Sequence, residues 1–156
     1  MQIVRGTLSE YAEELRPMFA RHFEEVGMAG SRGLELDVNE HHYEAVEKSG
    51  NYLALALKTD EGKLVGYLSI FVYGHPHHQN TNFACVDCFL IEKGYRHLSG
   101  FKSIIKMFKM AEEILMKEFN TYYFQFAFST NNPLDSLAKR MGFVPSDVLY
   151  LKRLEK

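Results

Sequence analysis

Hydrophobic and polar side chains follow a helical period most regularly over residues 101–119. This segment has one apolar side and one lysine-rich side, a pattern typical of a helix packed on a sheet. Residues 84–91, just upstream, form an apolar run that predicts a buried strand, and residues 92–100 predict a basic turn that contains glycine. The centre of the chain is therefore predicted to form a strand, a turn and a long helix in succession.

Shorter hydrophobic runs predict further strands. Residues 52–58 and 64–73 flank the tetrapeptide Thr-Asp-Glu-Gly, which predicts an antiparallel hairpin. The strand before the long helix would extend this hairpin into a meander. Residues 121–128 are almost wholly aromatic, and they predict a strand that is buried on both faces and lies parallel to the strand before the helix.

Helix signals occur on both sides of these strands. The segment from Thr7 to Ser9 contains an N-cap candidate and precedes acidic residues from Glu10, which predicts a helix start there. Pro17 is expected to split that helix into two short ones. Asn39 predicts the cap of a short helix over Glu40–Lys48. A final helix is predicted to start near Pro133 and to end at Gly142.

The segments together predict one α/β (α+β) domain over residues 1–156. Residues 2–5 predict an edge strand, and residues 143–154 predict a closing strand. We expect a mixed, mostly antiparallel sheet of six to seven strands and about four helices.

Composition narrows the range of partners. The 156 residues are 46% hydrophobic and 13% aromatic, which suffices for one domain with a core. Eighteen basic and 20 acidic residues leave a net charge of -2, which argues against binding nucleic acid or an anionic membrane. Two cysteines, no secretory pattern after Met1 and no apolar run of membrane-spanning length favour a cytoplasmic protein.

The turn at residues 92–100 provides the first chemical hypothesis. Backbone N–H groups at a helix start are unpaired and lie at the positive end of the helix dipole, so a turn there can bind a pyrophosphate. The alternative is a loop that only caps the helix. The elements that flank the turn favour the first interpretation.

The order of these elements resembles the GCN5-related N-acetyltransferase (GNAT) superfamily over nearly the whole chain. The similar segments are residues 62–67 (GKLVGY), residues 87–96 (DCFLIEKGYR), and Asn131 with Gly142 and Phe143. The His-rich loop, Asp87 and the last strand are most similar to a divergent group common in phage genomes. The resemblance implies a central pair of splayed parallel strands.

In this superfamily, acetyl-CoA binds in the gap between the splayed strands. The resemblance implies that the pantetheine arm pairs with the backbone of one strand, and that the turn binds the pyrophosphate through N–H groups. Ser99 and Phe101 stand where the family usually has small residues, with Gly100 between them. The implied cofactor-binding residues are Phe89, Leu90, Ile91, Arg96, His97, Leu98, Ser99, Gly100, Phe101 and Asn131.

Asp87 is the first catalytic candidate. Strand alternation predicts that it shares a face with Cys85, Phe89 and Ile91, where apolar neighbours would raise the pKa of its carboxyl group. Such a carboxylate can act as a general base toward an ammonium substrate, directly or through water. The alternative is a structural aspartate that is bonded to a loop or an arginine.

The general acid is less defined. Many family members have a tyrosine seven residues after the motif asparagine, where this chain has Ala138. Tyr150 on the closing strand or His77 in the His-rich loop are the candidates for that role. Direct attack of an amine on the thioester does not strictly require an acid.

The histidines and cysteines also suggest a metal site. His75, His77 and His78, followed by Cys85 and Cys88, are of the types that bind zinc. Two cysteines three apart on a strand would face opposite sides, so we expect no metal, and instead buried thiols beside a polar loop.

Two functions are open at this point. The first is an acetyl-CoA-dependent N-acetyltransferase that acts on a primary amine of an unknown small-molecule or protein acceptor. The second is a catalytically inactive protein of the same fold that binds or inhibits a partner. Exposed aromatic residues on the last strands would permit a homodimer.

Overall fold

A five-stranded mixed sheet forms the centre of the fold. The computed structural model describes residues 1–26, 35–128 and 134–146, without the side chains of Leu98 and Ser99. In the described part the strands lie in sequence order, the first four antiparallel and the fifth parallel to the fourth. They are β1 (Gln2–Gly6), β2 (Tyr52–Lys58), β3 (Leu64–Gly74), β4 (Asn82–Ile91) and β5 (Thr121–Gln125).

Helices cover both faces of this sheet. The described residues form four α-helices, which matches the predicted number: α1 (Leu8–Glu25), α2 (Glu40–Lys48), α3 (Leu98–Glu118) and α4 (Asp135–Arg140). Helices α1 and α2 pack on one face around Tyr67, and α3 and α4 pack on the other face around Phe108. Within the described ranges, none of the helices is long and apolar enough to cross a membrane.

The helix starts follow the predicted caps, but Pro17 does not divide α1. The Thr7 hydroxyl accepts a hydrogen bond from the Glu10 N–H, and the Asn39 side chain accepts one from the His42 N–H. Helix α1 continues through Pro17, contrary to the prediction of two short helices. Pro17 is exposed, so water can bind the carbonyl that it leaves unpaired, while Leu15 and Met18 beside it are buried.

The sheet has fewer strands than the predicted six to seven. Five strands are present in the described part, and residues 143–146 at the start of the predicted closing strand are not part of any strand. The remainder of that strand, residues 147–156, lies outside the description. The aromatic segment 121–128 was also predicted wrongly as buried on both faces, because Tyr122 and Tyr123 are 75% and 51% exposed. Aromatic composition favours a strand but does not distinguish a covered face from an open one.

A β-bulge at Asp87 interrupts the pairing of β3 with β4. Ser69 pairs with Cys88 and Ile70 pairs with Val86, so Asp87 is an extra residue in β4. The bulge reverses the side-chain alternation that the sequence predicted. Asp87 therefore does not share a face with Phe89 and Ile91, which pack in the core under α3.

Strand β4 separates from β5 shortly before this bulge. The two strands pair only from Asn82 with Thr121 to Cys85 with Gln125. Beyond Cys85, residues 86–91 of β4, with the exception of Asp87, pair with β3 on one side, and no described strand pairs with them on the other. Backbone groups along this edge are thus left for another partner.

Gly100, in the first turn of α3, is closely packed against the turn before it. A Cβ atom at this position would lie 1.7 Å from the carbonyl oxygen of Tyr95, a backbone atom. The turn Lys93–Tyr95 forms one 3-10 turn, and its fold against the helix start requires the absence of a side chain at residue 100. Gly94 in the same turn has no heavy atom within 4 Å of the corresponding position.

We expect Gly100→Ala to lower the free energy of unfolding by about 1–3 kcal/mol, because the turn must move to accommodate the methyl group. Urea denaturation followed by circular dichroism measures this change. Gly94→Ala is the matched control and is expected to stay within about 0.5 kcal/mol of the wild type. Equal stability of the two variants would show that the packing of residue 100 does not constrain the turn.

Candidate functional site

The Asp87 carboxylate is held by two hydroxyl groups at the bulge. The Tyr43 hydroxyl on α2 and the Ser69 hydroxyl on β3 both donate hydrogen bonds to Oδ2 of Asp87, each at 2.9 Å. Three separate elements therefore fix the orientation of this side chain. Because both hydroxyls donate to the same oxygen, Oδ1 is the oxygen they leave for a substrate.

Asp87 is recessed but still reachable from solvent. Protein atoms surround the carboxyl group closely enough that burial raises its pKa, and this effect outweighs the hydrogen bonds from Tyr43 and Ser69 and the proximity of His42. The side chain nevertheless keeps an exposed surface. A carboxylate in such a concave position is more basic than a fully hydrated one and can still meet a ligand.

Two further buried hydroxyl groups, those of Tyr52 on β2 and Tyr67 on β3, lie in the same region of the sheet as Ser69. Ser69 and Tyr67 are fully buried, and the Tyr52 hydroxyl lies 3.2 Å from that of Tyr67. Ser69 lies close enough to Tyr52 to oppose the larger rise in pKa that burial causes in this phenol. Burial raises the pKa of both phenols far above neutral pH, so the network remains uncharged.

The two cysteines lie near Asp87 as neutral thiols. Burial, with the carboxylate as a smaller cause, raises the pKa of both Cys85 and Cys88. Cys88 packs against the core under α1 and α2, and Cys85 pairs across the sheet with Phe71, which packs against that same core. The two cysteines therefore share a face, contrary to the prediction of opposite faces, because the bulge at Asp87 shifts the alternation between them.

The His-rich loop follows the C-terminal end of β3 at Gly74. The His75 ring stacks on Phe83 with centroids 4.4 Å apart, and the His77 N–H donates to Nδ1 of His75. In the described part of the chain, no group of three or more metal-binding side chains is close enough to hold an ion. His77 is exposed, and its role as a general acid stays a prediction.

Sequence analysis missed Tyr43 and Ser69. Ser69 carried a usable signal, because it is the one small hydroxyl residue in the apolar run that forms β3. A buried hydroxyl requires a partner. Tyr43 carried no such signal, because only the packing of α2 on the sheet brings its hydroxyl to Asp87.

Arg96 links the turn before α3 to helix α1. Its Nε donates to the carbonyl oxygen of Ile91 at 2.8 Å, and its two terminal nitrogens donate to the two carboxylate oxygens of Glu25 at 2.6 and 2.7 Å. The guanidinium group lowers the pKa of Glu25. A second ion pair, between Arg21 and Glu92, joins the same two elements. Arg96 is therefore committed to the shape of the turn, and the backbone is left to meet an anion.

An open cleft of about 440 Å³ lies between α1 and the end of β4. Apolar side chains from both elements form part of its wall, and the ion pairs of Arg96 and Arg21 lie at its edge. The cleft adjoins the unpaired edge of β4. Its apolar lining residues are Met18, Leu90 and Ile91.

The predicted cofactor-binding residues have different surroundings, and some of them lie outside the described residues. Phe89 packs against Phe108 with ring centroids 5.3 Å apart, and Leu90 is buried in the core on the other face, so the β4 backbone between them is the exposed feature. Phe101 lies 5.3 Å from the Arg140 guanidinium group. The side chains of Leu98 and Ser99, and the whole of Asn131 and Tyr150, lie outside the described residues.

Comparison with known proteins gave matches of structure alone. No protein-family model matches the sequence, and no curated protein matches it significantly. Among solved structures, a ribosomal-protein-alanine N-acetyltransferase from Brucella melitensis is 17% identical, with a TM-score of 0.66 and coverage of 99% of this chain and 100% of that chain. An aminoglycoside 6'-N-acetyltransferase from Acinetobacter baumannii is 17% identical, with a TM-score of 0.64 and 99% coverage of both chains.

A plant enzyme shows the same likeness at lower identity. The glucosamine-6-phosphate N-acetyltransferase from Arabidopsis thaliana is 10% identical, with a TM-score of 0.66, and the match covers 99% of this chain and 98% of that one. At identities this low, the structural match establishes a shared fold only. The acceptor and the activity have to be argued from the residues of the site. The chain has the fold of the GNAT acetyltransferases, as its sequence predicted.

Proposed function

We propose that the protein transfers the acetyl group of acetyl-CoA to a primary amine. The observation that carries this proposal is the separation of β4 from β5 directly beside a reachable carboxylate. The separation provides a backbone edge for an extended ligand, and Asp87 provides a base at the same level of the sheet. A structural aspartate would not need to lie next to an unpaired strand edge.

The described residues suit the two halves of acetyl-CoA. The edge of residues 86–91 offers backbone donors and acceptors to the amide groups of a pantetheine arm, apart from the Ile91 carbonyl, which accepts from Arg96. The start of α3 has no acidic residue in its first turn, so its N–H groups and dipole can favour a diphosphate. Arg96 would hold the turn in position through Glu25, a supporting role that differs from direct phosphate contact.

Asp87 would act as the general base. Its Oδ1 would take a proton from the acceptor ammonium, and the freed amine would attack the carbonyl carbon of the thioester. The C–N bond forms, the C–S bond breaks, and the nitrogen loses its surplus proton to give the amide. CoA leaves as a thiolate and takes up one proton to become the free thiol, while the proton taken by Asp87 passes to water. Positioning by the hydroxyls of Tyr43 and Ser69 would orient the carboxylate for this transfer.

A non-catalytic binding function is the second candidate, and the Arg96 pair with Glu25 favours it. An arginine whose terminal nitrogens already pair with a carboxylate adds little charge for an incoming phosphate. The two candidates differ in whether acetyl-CoA binds at all.

We expect acetyl-CoA to bind with a dissociation constant below about 1 mM, which corresponds to about -4 kcal/mol. Isothermal titration calorimetry measures this affinity. The matched ligand without the pantetheine arm is adenosine 3'-phosphate 5'-diphosphate, which keeps both phosphates of the CoA diphosphate. It is expected to bind much more weakly because it cannot pair with the β4 edge. Absence of both heat and thermal stabilisation with acetyl-CoA would contradict the proposal.

We expect Asp87→Asn to reduce kcat/KM for a primary amine by about 100-fold or more, because the amide cannot accept the proton. Release of CoA over a panel of primary amines gives the rate, and calorimetry should show acetyl-CoA affinity within about twofold of the wild type. Asp135→Asn is the control, since this exposed carboxylate pairs with Lys139 on α4. An unchanged rate in Asp87→Asn would remove the base assignment.

We expect Ser69→Ala to move the acid limb of the kcat/KM profile to higher pH by up to about one unit. The hydroxyl donates to Asp87 and favours its charged form, so its loss raises the pKa of Asp87 further. Activity needs the charged form, and a higher pKa therefore delays its onset as pH rises. Tyr43→Phe should shift the limb in the same direction, whereas a limb that stays in place would show that the hydroxyls only stabilise the fold.

A further inference from the structure

Two hydroxyl groups and one imidazole adjoin the Asp87 carboxylate. Tyr43 and Ser69 donate hydrogen bonds to it, and His42 lies close enough to favour its charged form. The neighbouring thiols of Cys85 and Cys88 are neutral, because burial raises their pKa. A ligand that reaches Asp87 therefore meets one negative charge.

The acidic residues of α2 are engaged elsewhere. Glu40 pairs with Arg16 at 2.9 Å, and Glu44 pairs with Lys48 at 3.6 Å. Glu47 accepts hydrogen bonds from the Leu8 N–H and the Ser9 hydroxyl at the start of α1. None of these carboxylates supplements Asp87.

Glu35 and Asp37 precede α2 and are exposed. Among the described residues, no hydrogen bond or ion pair joins either of these carboxylates to Asp87, Tyr43 or Ser69.

Aromatic rings line the approach to Asp87. The Tyr43 and Phe71 rings stack with centroids 6.0 Å apart, and the His42 ring lies 6.1 Å from Phe71. Phe71 is partly buried, and it pairs across the sheet with Cys85, two residues before Asp87. These rings offer apolar surface and π-faces beside one carboxylate.

We propose that the acceptor is a monoamine, with one ammonium group attached to an apolar or aromatic body. This inference rests on the proposed function and names its substrate class. The ammonium would contact Oδ1 of Asp87, and the body would lie against Phe71 and the ring of Tyr43. A polycation would place its further ammonium groups where the described residues offer aromatic rings and no second carboxylate, so those charges would gain less than the one that pairs with Asp87.

The test compares three amines: tyramine with one ammonium group, and spermidine and kanamycin with several. CoA release is measured at saturating acetyl-CoA. We expect kcat/KM for tyramine to exceed that for either polycation by about 10-fold or more, equivalent to about 1.4 kcal/mol. A preference for spermidine or kanamycin would overturn the inference and leave the acetyl-transfer proposal intact.

Variants at one ring position sharpen the comparison. Phe71→Leu keeps the apolar volume but removes the ring, and it is expected to raise KM for tyramine several-fold with little change in kcat. Tyr122→Leu is the matched control, because this ring on β5 is 75% exposed. Equal KM values for the two variants would contradict the placement of the body against Phe71.

Calorimetry separates a failure of the acetyl-transfer proposal from a failure of the monoamine-binding proposal. If no amine is acetylated, calorimetry with tyramine alone still measures the site. Heat that is lost in Asp87→Asn would support the monoamine site while the transferase proposal fails. If tyramine is neither acetylated in the CoA-release assay nor bound in calorimetry, the inference is overturned.

Discussion

One extra residue in β4 determines the arrangement of the site. Because Asp87 has no paired residue across β3, the strand twists locally and the side-chain alternation changes at this point. Without the bulge, Ala84 and Val86 could not pack under α3 on the same face as Phe89 and Ile91, because these two pairs are an odd number of residues apart along the strand. The same irregularity brings the Asp87 carboxylate to the hydroxyls of Tyr43 and Ser69.

The bulge and the separation of β4 from β5 occur at the same part of the strand and have a common physical cause in its local twist. Pairing with β5 ends at Cys85, two residues before the bulge. A twisted strand diverges from a parallel neighbour, and the unpaired edge that results requires another partner. In the proposed function that partner is the substrate, which explains why a fold with a large apolar core leaves one of its central strands half paired.

Features determined by neighbouring residues could be predicted from the sequence. The caps at Thr7 and Asn39 and the hairpin between β2 and β3 depend on short segments, and the structure has them as predicted. Features that depend on distant partners could not. The bulge requires the register between Ser69 and Cys88, and the hydrogen bond of Tyr43 to Asp87 joins residues 44 positions apart. Continuation of α1 through Pro17 depends on tertiary packing that outweighs a local preference.

The central claim is that the open edge of β4 binds the extended arm of acetyl-CoA. Amide hydrogen exchange with mass spectrometry tests this directly on peptides that cover residues 86–91. The account predicts that acetyl-CoA slows exchange in these peptides, while the fully paired strand β2 is unchanged. Equal exchange of residues 86–91 with and without saturating acetyl-CoA would contradict it.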